Sequence, residues 1–371
     1  MKICVITLEN ARDYRTWSRT PLSIIEYMEK ENIEIVNLSY IGKIHHFGLG
    51  LIKAIYNKKH YHYDNNFREP FPFLYHMNAH FFEKEMSKYD CDAFIFMGEQ
   101  CMAHKEKIKE KKYVYLDRMI GSIAKFDEDK RKGKLKYIED YEKNDRKSLE
   151  CMDHIFTLND WSRNELINKY GFSENKVTKV GVGINLTPFF GEKNYCNYKI
   201  LIVLRKGSEH YKGLDLLLEA FTIARKKIPN LTLHVVGTDY KETEGVYYYY
   251  NQSRSVTVEL FQECSLYAMP ALLEPNGTTY LEALANKTPT LGLNRFAFPE
   301  FCGYGKYGFI VENPDPIAVA ESIVCAYSDP ERFEKMGRDG QQFVLEQFDW
   351  QKVTDSMLKI IEGDIEKSNE K

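Results

Sequence analysis

Short apolar runs alternate with amphipathic stretches along most of the chain. "KICVITL" at 2–8 is a β-rich run, "LSIIEYMEKEN" behind it has helical spacing, and "IEIVNLSYIG" is a second strand pattern. This β-α-β opening predicts a parallel sheet. "CDAFIFMG" (91–98) and "KYVYLD" (112–117) read as further buried strands, "KYIEDYEKNDRKSLECMD" (136–153) as a charged helix and "HIFTLN" (154–159) as the next strand. The helix "DWSRNELINKYG" (160–171) has Asn159 or Asp160 to cap it and Gly171 to end it, and "NKVTKVGVG" is one more strand.

The alternation then restarts. Strands are predicted at 198–207, 231–237, 265–273, 288–294 and 307–313, with helices at 212–230, 255–264, 314–328 and 331–347 and a final one from Trp350 into a polar tail. "YYYY" (247–250) reads as a strand with tyrosines on both faces. The seam falls in "NLTPFFGEKNYCNY" (185–198), which is rich in polar and turn-forming residues. A length of 371 residues fits two domains. The expected fold class is therefore α/β, two doubly wound parallel-sheet domains. Ligands of such folds bind at the carboxyl ends of the strands, so a central cleft between the two sheets is the expected site.

Composition narrows the function classes. With 43 % hydrophobic and 28 % charged residues and a net charge of -3, the chain reads as globular and has no global attraction to nucleic acid. The charge run at 125–147 is mixed in sign and reads as solvated surface rather than a basic stripe. No apolar run reaches the ~20 residues of a membrane helix, and "MKICVITLEN" lacks the apolar stretch of a signal peptide. The eight cysteines are scattered without a C-x-x-C pair, which suits a reducing cytoplasm.

The sharpest chemistry lies in the second series. Arg205 leaves its first strand in "VLRKGSEHYKG", and Lys212 opens the next helix; two such cations suit a diphosphate, or else form a solvated basic loop. In "ALLEPNGTTYLEALANKTP", Pro275-Asn276-Gly277 is a turn, and Thr278 or Thr279 starts a helix whose free N–H groups favour phosphate. Gly277 lets a ligand approach the backbone. Glu282, one turn in, can accept both hydroxyls of a ribose, and Glu274 can reach sugar hydroxyls on the other side. The bland alternatives are a Thr279-x-x-Glu282 capping box and an exposed loop acid. Taken together, the cations, the helix start and the two acids fit one ligand, a nucleotide sugar.

Over about residues 150–355 the chain resembles the retaining glycosyltransferases of family 4, with their GT-B fold. "DHIFTLNDWSRNELINKYGFSENKVTKVGVGIN", "LIVLRKGSEHYKGLDLLLEAF", the E-x7-E stretch "EPNGTTYLEALANKTPTLG", "YGFIVENPDPIAVAESI" and "FDWQKV" resemble its blocks in their order. The resemblance implies a donor pyrophosphate on Arg205 and Lys212, the donor sugar on Glu274, amides or hydroxyls from Asn276, Gly277, Thr278 and Thr279, and the ribose on Glu282. It implies a UDP- or GDP-sugar donor, no required metal, same-face attack by an acceptor hydroxyl, and a glycan or lipid-linked acceptor. The implied domains are 1–187 on the acceptor side and 198–346 for the donor, with 347–371 returning as a helix to the first.

The first domain departs from the family pattern. The glycine-rich loop after the first strand is replaced by "ENARDYRTWSRTP", where Arg12, Arg15, Trp17, Ser18 and Arg19 stand instead. In place of the family's histidine near the sugar, "YVYLDRMIGS" offers Asp117 and Arg118 on the acceptor side, with Asp117 also suited to capping a helix. Segment 44–82 holds His45, His46, His60, His62, His76 and His80, six of the ten histidines, among many aromatics. It reads as an acceptor-recognition insertion, as a membrane-peripheral element or as a plain structural excursion. A metal site on His76 and His80 lacks a carboxylate partner motif. Two rival functions remain open at this stage, a non-catalytic nucleotide-sugar-binding protein and a nucleotide-sugar epimerase or hydrolase on the same fold.

Overall fold

The computed structural model describes residues 1–7, 9–39, 80, 83–98, 109–124 and 135–369. It divides into two compact units, Met1–Gly183 with Trp350–Lys371, and Ile184–Asp349. Segment 44–82, His80 apart, lies outside the described residues, as does 125–134 of the charge run.

The first unit is built on strands β1 (Lys2–Thr7), β2 (Glu34–Ser39), β3 (Ala93–Met97), β4 (Lys111–Leu116), β5 (His154–Thr157) and β6 (Val177–Lys179). All pair in parallel, in the order β2-β1-β3-β4-β5-β6. β3 is buried along its whole length and β1 all but its first residue, which is why their sequences are continuously apolar rather than alternating. Helices α1 (Thr20–Lys30), α2 (Ile120–Ala124), α3 (Leu135–Glu150) and α4 (Asp160–Asn168) connect them. Asn159 caps α4, its side-chain oxygen accepting the Ser162 N–H at 2.9 Å.

The second unit contains β7 (Lys199–Val203), α5 (Leu214–Arg225), β8 (Thr232–Val236), β9 (Val246–Tyr249), α6 (Arg254–Glu263) and β10 (Leu266–Ala268). It continues with α7 (Thr278–Ala285), β11 (Thr290–Leu293), α8 (Phe298–Phe301), β12 (Gly308–Val311), α9 (Pro316–Ser328) and α10 (Pro330–Gln347). Its parallel sheet runs β12-β11-β10-β7-β8-β9. The chain moves outward from β7 to β9, crosses back, and moves outward again from β10 to β12. The switch in direction lies between β7 and β10, and in an open parallel sheet the crevice outside that point is where ligands bind. Leu201, Tyr267, Phe221, Phe261 and Leu281 are fully buried around these central strands. Each such Leu or Phe contributes about 1.5–3 kcal/mol relative to exposure.

The crossing from β8 to β9 uses residues 237–245 without a helix. Lys241 to Asp215 (2.9 Å) and Arg225 to Glu244 (3.0 Å) tie this connection to α5. The tyrosines of β9 do face both ways: Tyr249 meets His234 Nδ1 at 3.0 Å, whereas Tyr248 donates to the carbonyl of Lys241 at 2.6 Å.

The chain ends in α11 (Trp350–Asn369), which belongs to the first unit and packs on α1 and β4. There the Tyr113 hydroxyl donates to Asp364 at 3.3 Å. Among the described residues no helix is long and apolar enough to cross a membrane.

Candidate functional site

Two loops border the switch point of the second sheet, 204–213 after β7 and 269–277 after β10. They are joined backbone to backbone, since the Tyr211 carbonyl accepts the N–H groups of Leu272 (2.8 Å) and Leu273 (3.0 Å). Strand β10 is only three residues long, so most of the apolar run at 265–273 is this loop rather than strand.

Lys212 and Glu274 meet across the joined loops, Nζ to Oε2 at 3.0 Å, with side chains 17 and 22 % exposed. The other oxygen of Glu274 accepts the Gly277 N–H at 3.0 Å. Glu274 is therefore not a loose loop acid. Gly277 caps α7 in the left-handed conformation (φ 59°), where any β-carbon would press on the Tyr280 ring at 2.8 Å. This cap corrects the capping-box alternative. Thr279 is already inside the helix, its hydroxyl accepting from the buried Tyr267 phenol at 2.7 Å. Glu282 turns instead toward Arg254, 3.8 Å away.

At the helix start the Thr278 and Thr279 N–H groups lie ahead of the first helical hydrogen bond, whereas the Tyr280 N–H already donates to the Gly277 carbonyl at 3.0 Å. Thr278 and Thr279 are half-buried there, and Asn276 is buried. Glu282 is 18 % exposed, and burial pushes its carboxyl up to about 6, with Arg254 and then Lys212 drawing it back. Arg205 stands exposed at the end of β7, its backbone N–H held by the Ser208 hydroxyl at 3.1 Å. The structure thus gathers Lys212, Glu274, Gly277, Thr279 and Glu282 around one helix start, and sets Arg205 at the neighbouring strand end.

Arg254 was not among the residues picked out from the sequence. A signal was available: it is the first residue of α6, at the positive end of the helix dipole, where a cation is disfavoured.

In the first unit, Asp117 and Arg118 follow β4. Arg118 Nη1 donates to Asp117 Oδ2 at 3.2 Å, and the Ser162 hydroxyl donates to the Asp117 carbonyl. In the loop after β1, Trp17, Ser18 and Arg19 all take left-handed backbone (φ 42°, 54° and 70°), without a glycine. Its arginines have local acids: Arg12 pairs with Glu29 at 2.5 Å, Arg15 with Asp13 at 2.7 Å and Arg19 with Glu26 at 3.0 Å. Among the described residues no cluster of three His, Cys, Asp or Glu side chains could hold a metal ion.

Residues 191–343 match the profile of the family described as "Glycosyl transferases group 1". A capsular polysaccharide biosynthesis glycosyltransferase, CapM, of Staphylococcus aureus is 25 % identical over 232 residues, covering 56 % of this chain and 60 % of that protein. A GDP-mannose-dependent alpha-(1-6)-phosphatidylinositol monomannoside mannosyltransferase of Mycolicibacterium smegmatis is 26 % identical over 171 residues, 41 % of this chain and 45 % of that one. The matches thus span about half the length of these curated relatives. Among solved structures, a sucrose-phosphate synthase from Thermosynechococcus elongatus superposes with a TM-score of 0.70 over 98 % of both chains at 14 % identity.

Proposed function

We propose, from the group 1 glycosyl transferase domain that residues 191–343 of this chain form, that the protein moves a hexose from a nucleotide-diphosphate donor to an acceptor hydroxyl with retention. The architecture is GT-B, with two Rossmann-like parallel-sheet units. The observation that carries the reading is the Lys212–Glu274–Gly277 arrangement at the switch point, with Glu282 one turn further along the same helix.

In this reading the diphosphate sits over the start of α7, with Lys212 and Arg205 as its cations. The bond between the anomeric carbon and the β-phosphate oxygen breaks. The acceptor oxygen bonds that carbon on the same face and passes its proton to the departing phosphate. Lys212, Arg205 and the α7 amides stabilise the charge that grows on that phosphate. These groups do what a divalent cation would otherwise do, so no metal is required. Glu274 orients the sugar hydroxyls, while Glu282 accepts the ribose hydroxyls. Asp117 and Arg118 serve the acceptor side. One relative's name specifies GDP-mannose and a phosphatidylinositol-linked acceptor. By analogy the donor here is a GDP- or UDP-sugar, and the acceptor is a glycan or a lipid-linked glycoconjugate reached from the cytoplasm. Segment 44–82 then provides the contact with acceptor or membrane surface.

A second reading, a nucleotide-sugar-binding protein without turnover, is favoured by the loop after β1, which has no glycine and whose arginines are engaged by local acids. One experiment separates the two. The purified protein is offered UDP-, GDP-, ADP- and TDP-sugars, with and without EDTA, and free nucleotide is measured against Glu282→Ala. Release from one donor, insensitive to EDTA and lost in the variant, supports the transferase. Saturable binding without release, even with acceptor glycans added, favours the binding protein. Neither binding nor release would sink both.

A further inference from the structure

Arg254 is a cation at a helix start, where the dipole disfavours it, and no acid stands in the first turn of its own helix. Its position has another cause. Nη2 donates to the Asn185 carbonyl at 2.7 Å, and the same nitrogen stands 3.8 Å from Glu282 Oε1. A carbonyl anchors the guanidinium without neutralising it, so its charge remains available to Glu282. Arg254 is 55 % exposed and Glu282 only 18 %. The cation is thus partly hydrated, whereas the acid is largely withdrawn from water.

Among the described residues, three charged or titratable groups from other elements act on Glu282. Arg254 approaches from α6, Lys212 from the loop before α5, and the Tyr267 phenol from β10. Lys212 is already paired with Glu274 at 3.0 Å, and burial keeps the Tyr267 phenol neutral. Arg254 is therefore the cation with most to give to Glu282.

The geometry points to Arg254 as a positioning residue of the donor site, anchored on Asn185 so that Glu282 stays ionised and aimed at the ribose hydroxyls. The inference rests on the donor-site reading of Glu282 given above. It adds a residue from a separate helix, 28 positions earlier in the chain, to that site. Arg254 acts through Glu282 rather than on the ligand.

The test is equilibrium binding of UDP-glucose and of GDP-mannose between about pH 5.5 and 8.5, a range in which their diphosphate diesters do not titrate. Wild-type affinity should weaken toward the acid end as Glu282 takes up a proton. In Arg254→Ala the midpoint should move up by about one pH unit. Affinity should then fall about twofold at pH 7 and about fivefold at pH 6, and match wild type at pH 8.5, while Arg254→Lys returns the midpoint part of the way. Thermal melts confirm that both variants are folded. An unchanged midpoint in Arg254→Ala, or an equal loss of affinity at every pH, overturns the inference. If the wild type binds neither nucleotide sugar at any pH, the donor-site reading itself fails and this inference with it.

Discussion

Lys212 Nζ lies 3.0 Å from one oxygen of Glu274, and the other oxygen of that carboxylate holds the Gly277 N–H at 3.0 Å. One acid therefore shapes the turn and holds the cation. The two roles separate by substitution. Glu274→Gln keeps an amide oxygen for Gly277 but loses the charge, so it should melt within a few degrees of wild type. Nucleotide release should nevertheless fall about 100-fold. Glu274→Ala loses both contacts and should unfold about 1–2 kcal/mol earlier. Melting curves paired with release rates check this. If Glu274→Gln kept full activity, the acid would be a turn residue and no more.

Glu282 should weaken the fold that it serves. The unfolded chain takes up its proton near 4.5, and the folded chain near about 6, because burial disfavours the carboxylate. Between those values the folded state binds more protons. The cost of ionising Glu282 is thus absent below about pH 4.5 and fully present above about pH 6, where the gap corresponds to about 2 kcal/mol. Glu282→Gln should therefore be more stable than wild type to urea at pH 8, with the gain vanishing toward pH 4.5. The same variant should lose nucleotide-sugar binding. A variant no more stable at pH 8 than at pH 4.5, relative to wild type, would show that the buried acid carries no such cost.

The strands and helices of both units were legible because buried parallel strands are apolar runs and their covering helices are amphipathic. The helix start at 278 was legible from Pro275-Asn276-Gly277. Its cap was not, because Thr279-x-x-Glu282 matches a capping box in sequence. Only the left-handed Gly277 and the Tyr267–Thr279 hydrogen bond show that Thr279 lies inside the helix. The Glu282–Arg254 relation joins two helices, and no local pattern encodes it. The pairing of Arg12, Arg15 and Arg19 with nearby acids was equally hidden, since a basic loop reads the same whether it faces a ligand or its own helix.

Lys193 holds the far ends of the two helices whose near ends carry Arg254 and Thr278. Its Nζ donates to the carbonyls of Phe261 (2.8 Å), Gln262 (3.0 Å) and Asn286 (3.1 Å). Three acceptors match the three protons of an ammonium, and each lies at a helix C-terminus, where positive charge is favoured, against a burial that pulls the amine down to about 7. Lys193→Met removes one donor from each carbonyl, although Phe261 and Asn286 still share the Thr288 hydroxyl (3.0 and 3.3 Å), and should cost about 1–3 kcal/mol in urea denaturation. Nucleotide-sugar affinity of the folded variant should change less than about twofold. A loss below about 1 kcal/mol would mean that water replaces the ammonium without penalty.

Gly213 follows Lys212 directly and lies against the backbone of Pro270 in the loop after β10. Its φ is +74°, and a β-carbon there would lie 2.0 Å from the carbonyl oxygen of Pro270. Gly207, in the same loop, has φ +89° but nothing within 4 Å of its would-be β-carbon. The pair separates two effects. Gly207→Ala should cost only the left-handed backbone term, roughly 1–2 kcal/mol. Gly213→Ala bears that term and must also push the loops apart, so it should cost more than about 3 kcal/mol. Because the displaced loop carries Lys212, any folded fraction of Gly213→Ala should also bind nucleotide sugar at least tenfold more weakly than Gly207→Ala. The comparison takes denaturation curves and binding isotherms on both variants. Similar stability and similar affinity in the two would mean that the loops can part freely, and that the close packing at the switch point does not set the geometry of Lys212 and Glu274.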